Sequence, residues 1–373
     1  MSANLRFKNK KFKVMQIADI QENAVVNPDT IKLIALALER EKPDLVVLTG
    51  DQIQGYSTSY LKDAQNKVEK VISYFLAPII ERNIPFCFTY GNHDDDCKVS
   101  KKIQTEFYKS HSGCVYTEPA SEDDTATYMV TVKDSDGKKD ILGIYLFDSG
   151  TVSNGIKDSQ LQWYKDKRDS FKNENGEYLP SIVFQHIPVP EFYDIIDKVG
   201  FFSKGRVEAY KDRRNTFYRL DEQTKAQGGF MGESPGTPIE NVGEFDVLQE
   251  KGDVFAFYCG HDHNNSFYKH YKGIDLGYCQ GASFHTYGPY DKRGVRVFVF
   301  DEDNVRDYET YTVTMGELCD YKPTKPINEF VYRNAPVSPD QAITDLSRIA
   351  LVIAAINLGF KAAKKISRII KRK

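Results

Sequence analysis

Ile84-Pro-Phe-Cys-Phe-Thr-Tyr-Gly-Asn-His-Asp94 is an apolar run that stops on a glycine and three ligand-type side chains. Residues 84–90 predict a buried strand, because a short continuous apolar run fits a sheet covered on both faces. Gly91 lets the chain turn sharply as it leaves the sheet. An amide oxygen (Asn92), an imidazole (His93) and a carboxylate (Asp94) then arrive together at the strand's carboxyl end, where open α/β sheets bind ligands.

Four other strand-like runs end in the same kind of residue. Residues 12–18 lead into Asp19-Ile20-Gln21, and residues 45–48 into Thr49-Gly50-Asp51-Gln52. Residues 181–184 lead into Gln185-His186, and Val254–Cys259 into Gly260-His261-Asp262-His263. Between the first three runs lie helical patterns. Asn27 or Asp29 can cap a helix carrying Ile31, Ile34 and Leu38, and a second helix is expected over about 59–82. That alternation predicts right-handed parallel crossovers.

Further on, residues 127–132 and 141–147 read as an antiparallel pair around Asp134-Ser135-Asp136-Gly137. A helix around 159–171 carries Trp163, the single tryptophan, as a core anchor. Residues 205–245, rich in Gly, Pro and charge, read as an insertion facing the substrate. Segments 266–271, 273–278, 295–300 and 308–313 suggest a second, mainly antiparallel sheet.

With 373 residues, 40% hydrophobic and 28% charged, the chain is of the soluble globular class and long enough for a large core. Six scattered cysteines without a Cys-x-x-Cys pair point to reduced thiols and a cytoplasmic setting. The first residues are polar and lack both a secretory apolar stretch and a second-position glycine.

Net charge −3 hides an asymmetry, since residues from 341 onward carry eight bases and one acid, leaving −10 on the rest. Such an acidic body is a poor partner for a nucleic-acid backbone, and none is expected. The expected division is a domain over 1–335 and a basic amphipathic helix over 341–373. Lys361, Lys364, Lys365, Arg368, Lys371 and Arg372 fall within roughly 120° of helical arc, opposite Ile366, Ile369 and Ile370. That helix would peripherally contact an anionic membrane surface or a protein partner.

Taken together the strand ends offer Asp19, Gln21, Asp51, Asn92, His93, His186, His261 and His263, an oxygen and nitrogen ligand set without a thiolate. It suits Mn, Fe or Zn better than a sulfur-seeking metal or a calcium cage. A pair of divalent ions needs a bridging carboxylate, and Asp51, on a turn opened by Gly50, is the natural candidate.

The ordered series D-x-(H/Q), GDx, GNHD, a strand into His and GHxH resembles the calcineurin-like metallophosphoesterase superfamily over residues 12 to about 300. The texture of Phe184-Gln-His-Ile-Pro-Val-Pro-Glu191, Gly260-His-Asp-His-Asn-Asn265 and Arg293-Gly-Val-Arg296 is similar to the branch of short purple-acid-phosphatase-like proteins. The resemblance implies an α/β fold in which a two-sheet β-sandwich is flanked by helices in four layers, α/β/β/α. It implies that Asp19, Gln21, Asp51 and His263 hold one metal and that Asp51, Asn92, His186 and His261 hold the other, with Mn favoured.

It further implies that His93 donates a hydrogen bond or proton to the phosphate or leaving group, and Asp94 is expected to orient His93. The implied reaction is hydrolysis of a phosphomonoester by metal-bound hydroxide. The alternatives are a phosphodiesterase on a small or lipid-linked substrate, and a non-catalytic scaffold with the same fold. Two departures stand out: Gln21 replaces the usual histidine, and Gln54 stands where purple acid phosphatases carry a tyrosine. The purple tyrosinate colour is therefore not expected. His111 and His270 are expected to be structural, and His285 is balanced between loop packing and substrate contact. Asp95, Asp96 and residues 122–124 are expected to be solvated surface.

Overall fold

The structure is a computed structural model that describes residues 5–173, 176–209 and 211–334, together with Ala342 and Leu346. Apart from those two residues, the helix expected over 341–373 lies outside the described residues. Two sheets dominate. The first runs Glu309–Thr314, Gly294–Asp301, Lys11–Ile17, Leu45–Thr49, Phe86–Thr89 in spatial order. The second runs Tyr268–Tyr271, Ile274–Tyr278, Val254–Cys259, Ser181–Gln185, Asp140–Phe147, Tyr128–Lys133.

Period-two alternation sorts the side chains into layers. Val14, Val47, Cys87, Ile144, Ile182, Phe184 and Phe298 fill the space between the sheets. The opposite residues of the first sheet, Met15, Ile17, Val46, Leu48, Phe86 and Phe88, pack with Leu33, Leu38, Val68 and Phe75. Those last four belong to the helices Pro28–Glu41 and Ala64–Ile80. On the far side, Tyr145, Phe147, Val183 and Phe257 pack with Leu161 and Tyr164 of the Asp158–Ser170 helix. Half-buried Trp163 stands edge-on to Tyr145 and Phe147, both at 6.1 Å. The order is helix, sheet, sheet, helix, as the resemblance implied.

The first three strands run parallel and Asn27 caps the first helix, its side chain accepting from the Asp29 N–H at 3.1 Å. The chain's last strands do not make a sheet of their own. Ile274–Tyr278 runs parallel to Val254–Cys259 in the second sheet, whereas Gly294–Asp301 returns to pair antiparallel with Lys11–Ile17 in the first. Each sheet is therefore mixed. Local patterning could not show this, because edge and central strands of a covered sheet carry similar apolar runs and differ only in partner.

Candidate metal centre

Five strand ends of the two sheets converge on one spot. The loops there are strained: Asp19, Gln21, Asp51 and His261 all hold left-handed backbone, with φ of +52°, +38°, +50° and +73°. Non-glycine residues adopt that region at a cost and concentrate at functional sites. Gly91 is required by proximity alone, since a Cβ there would lie 2.1 Å from Asp51 Oδ1. The Gly91 turn and the Asp51 carboxylate can share that volume only if position 91 has no side chain.

Asp19, Asp51 and His186 are buried with ligand atoms within 4.8 Å of one another, a group able to hold a metal ion. His186 Nε2 lies 3.3 Å from Asp51 Oδ2 and 4.0 Å from Asp19 Oδ1. His261 Nδ1 is 3.3 Å from His186 Nε2, and His263 Nε2 is 3.3 Å from Asp19 Oδ1.

The ring orientations show what this space is shaped for. His186 Nδ1 faces the Thr49 carbonyl at 3.1 Å, and His263 Nδ1 faces the Tyr287 carbonyl at 3.0 Å. A carbonyl only accepts, so each Nδ1 carries the proton, and in a neutral ring each Nε2 points a bare lone pair at a carboxylate. Backbone carbonyls hold metal-ligating imidazoles in this way. Asp19 Oδ1 and Asn92 Oδ1 are buried with no hydrogen-bond partner in the structure. Lone pairs converging on a buried, polar-lined space are what a cation compensates, so these residues fit a metal.

Without an ion, the carboxylates draw a proton onto the His186 and His263 rings instead, and an ion would take that proton's place. Burial works against charge on His186, yet Asp51 and Asp19 overcome it and raise its pKa to about 9. Asp51 is held far below the ordinary carboxylate range despite burial, by His186 and His93. His261 is pushed well down by burial and by neighbouring His186.

Gln21 joins the group by its amide nitrogen. Its Nε2 donates to Asp51 Oδ2 at 3.1 Å and lies 3.3 Å from His263 Nε2, while its Oε1 accepts from the Tyr56 hydroxyl at 3.0 Å. As a ligand it would present the other end of the amide.

Asp94 does not orient His93. It is fully buried, and its oxygens accept the backbone N–H groups of Asp51 (2.9 Å), Ile53 (2.9 Å) and Gly91 (2.7 Å). It ties the Asp51 turn to the Gly91 turn, and burial together with the Asp51 charge raises its pKa to about 7. The residue that does hold His93 is Asp96, whose Oδ2 is 2.7 Å from His93 Nδ1, so Asp96 is more than the solvated surface expected of it. Tyr56 also packs its ring edge against His93 at 4.8 Å.

His285 settles as loop packing, buried and bonded to the Val25 carbonyl at 2.9 Å. His111 and His270 lie away from the centre, against Ser73 and Asp275. Sequence reasoning missed Glu233 and Tyr287. The Tyr287 ring stacks on His263 at 4.4 Å, and its hydroxyl donates to Glu233 Oε2 at 3.0 Å. Glu233 Oε1 accepts the Asn264 N–H at 2.8 Å. No spacing signal marked either residue; the predicted insertion holds Glu233, and only the folded chain brings it to the GHDH loop.

The model of the family described as calcineurin-like phosphoesterase matches residues 12–265. The chain is a calcineurin-like phosphoesterase. Among this phosphoesterase's relatives, probable inactive purple acid phosphatase 29 of Arabidopsis thaliana is 28% identical over 344 residues, covering 81% of this chain and 80% of its own. Probable inactive purple acid phosphatase 14 of the same plant is 27% identical, covering 76% of this chain and 74% of its own. The Saccharomyces cerevisiae phosphatase DCR2 is 26% identical over 69% of this chain and 45% of its own. A dimetal phosphatase from Danio rerio superposes with TM-score 0.47 at 15% identity, over 82% of this chain and 99% of that one.

Proposed function

We propose that this phosphoesterase hydrolyses a phosphomonoester by direct attack of an activated water, using two divalent ions. The single observation that carries the proposal is the convergence of the His186 and His263 Nε2 atoms, each aimed by a carbonyl on its Nδ1, with Asp19, Asp51 and the unpartnered Asn92 oxygen around one buried space. Asp19, Asp51 and His263, with Gln21 once its amide turns, would hold one ion. Asp51, Asn92, His186 and His261 would hold the other. When bound, such a pair lowers the pKa of a shared water and neutralises phosphoryl charge.

The chain's own groups supply the rest. Asp94 fixes the Asp51 carboxylate between the two halves of the centre through the backbone of both turns. His93 is half-exposed at the rim; Asp96 engages its Nδ1, which leaves Nε2 to donate to the phosphate or the departing oxygen. Tyr56 stiffens both His93 and Gln21.

A second reading, a non-catalytic scaffold, has one observation in its favour: the Gln21 NH₂ already bridges Asp51 and His263, as an ion would. The names of the two Arabidopsis relatives carry the word inactive. A Mn-supplemented assay on nitrophenyl mono- and diesters decides. Turnover of the monoester by wild type and its loss in Asp51→Asn support the hydrolase; equal inertness of both proteins with metal demonstrably bound supports the scaffold. Faster turnover of the diester would make it a phosphodiesterase.

A further inference from the structure

Three short strands, Asp197–Val199, Val207–Glu208 and Phe217–Arg219, form a separate antiparallel ribbon just after the His186 strand. The crossover loop that joins its two outer strands, which run parallel to each other, has the tip Gly200-Phe-Phe-Ser-Lys-Gly205. Phe202 is 94% exposed and Phe201 51% exposed, an adjacent pair of rings left in water by a protein that buries most of its other phenylalanines. The rings are organised: Phe201 stands edge-on to Phe202 at 5.1 Å and to Phe217 at 5.4 Å. The Arg206 guanidinium lies over Phe201 at 4.6 Å and over Phe217 at 5.2 Å. Lys198 and Lys204 flank the tip, both exposed. Residues 197–219 carry seven bases and three acids, on a body whose first 340 residues sum to −10.

We propose that this tip docks on an anionic phospholipid surface. Adjacent phenylalanines at a turn, ringed by cations, match the chemistry of the boundary between headgroups and acyl chains: rings enter, and charges stay with the lipid phosphates. Arg206 braces the loop, its guanidinium over two aromatic rings and its Nη1 donating to the Ser203 carbonyl at 3.4 Å, which leaves exposed Lys198 and Lys204 to reach lipid phosphates. Two side chains on one short loop offer far less apolar area than a stable protein–protein interface, commonly about 1,200 Å² or more in total. The positive ribbon would also turn the acidic body away from the membrane. This surface shares no residue with the metal centre or with the basic segment after residue 341, so its failure would leave the hydrolase reading untouched.

The test uses the full chain and vesicles of phosphatidylcholine with or without about one-third phosphatidylserine. A Phe202→Trp variant reports the tip, with wild-type Trp163 emission as the reference. The tip indole is expected to shift to the blue on anionic vesicles only, to be quenched by brominated lipid, and to recover in 0.5 M salt ~ the range where surface attraction is screened. Phe201→Ser/Phe202→Ser should weaken flotation with anionic vesicles about tenfold or more with an unchanged melting temperature. Vesicle binding without a shift at position 202, and undiminished in the double variant, assigns the contact to another surface and overturns the proposal. So does an absence of vesicle binding, including the case where the tip is instead protected by a protein.

Discussion

His263 Nε2 faces Asp19 Oδ1 across 3.3 Å with no proton between them when the ring is neutral, because the Tyr287 carbonyl holds the ring proton on Nδ1. Asp19 raises the His263 pKa against the effect of burial, so without a metal the ring takes a second proton and the two form a buried ion pair, whose proton an ion would replace. Asp19→Asn should therefore lower the melting temperature in chelator by about 2–4 °C, the effect of roughly 1 kcal/mol in a domain of this size. The same variant should lose the further rise that Mn²⁺ gives wild type. Scanning calorimetry with and without Mn²⁺ checks both halves.

The two carboxylates of the Asn92 turn should separate cleanly. Asp94→Ala strands three backbone N–H groups that now bond to it, and should cost about 3 kcal/mol in urea unfolding. Asp96→Asn lies at the exposed rim and should leave stability within about 0.5 kcal/mol. Its effect should appear as a fall in kcat, through a less firmly held His93, with Mn²⁺ content unchanged.

Glu233 and Tyr287 support His263 from outside the ligand set. Tyr287→Phe removes the hydroxyl that links the stacked ring to Glu233, and Glu233→Ala also frees the Asn264 N–H. Each should weaken Mn²⁺ binding about 10–100-fold, the range for groups that orient ligands, as read by isothermal titration.

Much of this was legible in the sequence, and the limits have physical causes. The five motif-bearing strand ends are local signals: an apolar run, a glycine where no Cβ fits, and a ligand type at a fixed offset. They placed Asp19, Asp51, His186, His261 and His263 in one cluster. The sheet membership of Gly294–Asp301 and Ile274–Tyr278 was not legible, because pairing partners are non-local. Asp96, not Asp94, meets the His93 imidazole, while Asp94 is buried against three backbone N–H groups, because direction, not spacing, decides which carboxylate meets an imidazole. Gln21's amide end depends on Tyr56 and His263, neither of which the motif around it announces.

Glu244 gives a pH prediction away from the centre. Burial raises its carboxyl from an ordinary 4.5 to about 8, and Gln185 Nε2 is a distant partner at 3.4 Å. The folded state binds this proton more tightly than the unfolded state. Its stabilisation is therefore complete below pH 4.5 and is lost as pH rises through about 8. Glu244→Gln should flatten the decline of melting temperature between pH 5 and 9, a difference of about 2 kcal/mol or more at the alkaline end.

The central claim is that strand ends from both sheets form a centre for two ions. Equilibrium dialysis against Mn²⁺ with elemental analysis, paired with electron paramagnetic resonance, tests it most directly. The account predicts two bound, magnetically coupled ions per wild-type chain and loss of the coupling in Asp51→Asn. Wild type that emerges with no manganese, or with ions that persist unchanged in Asp51→Asn, would contradict it.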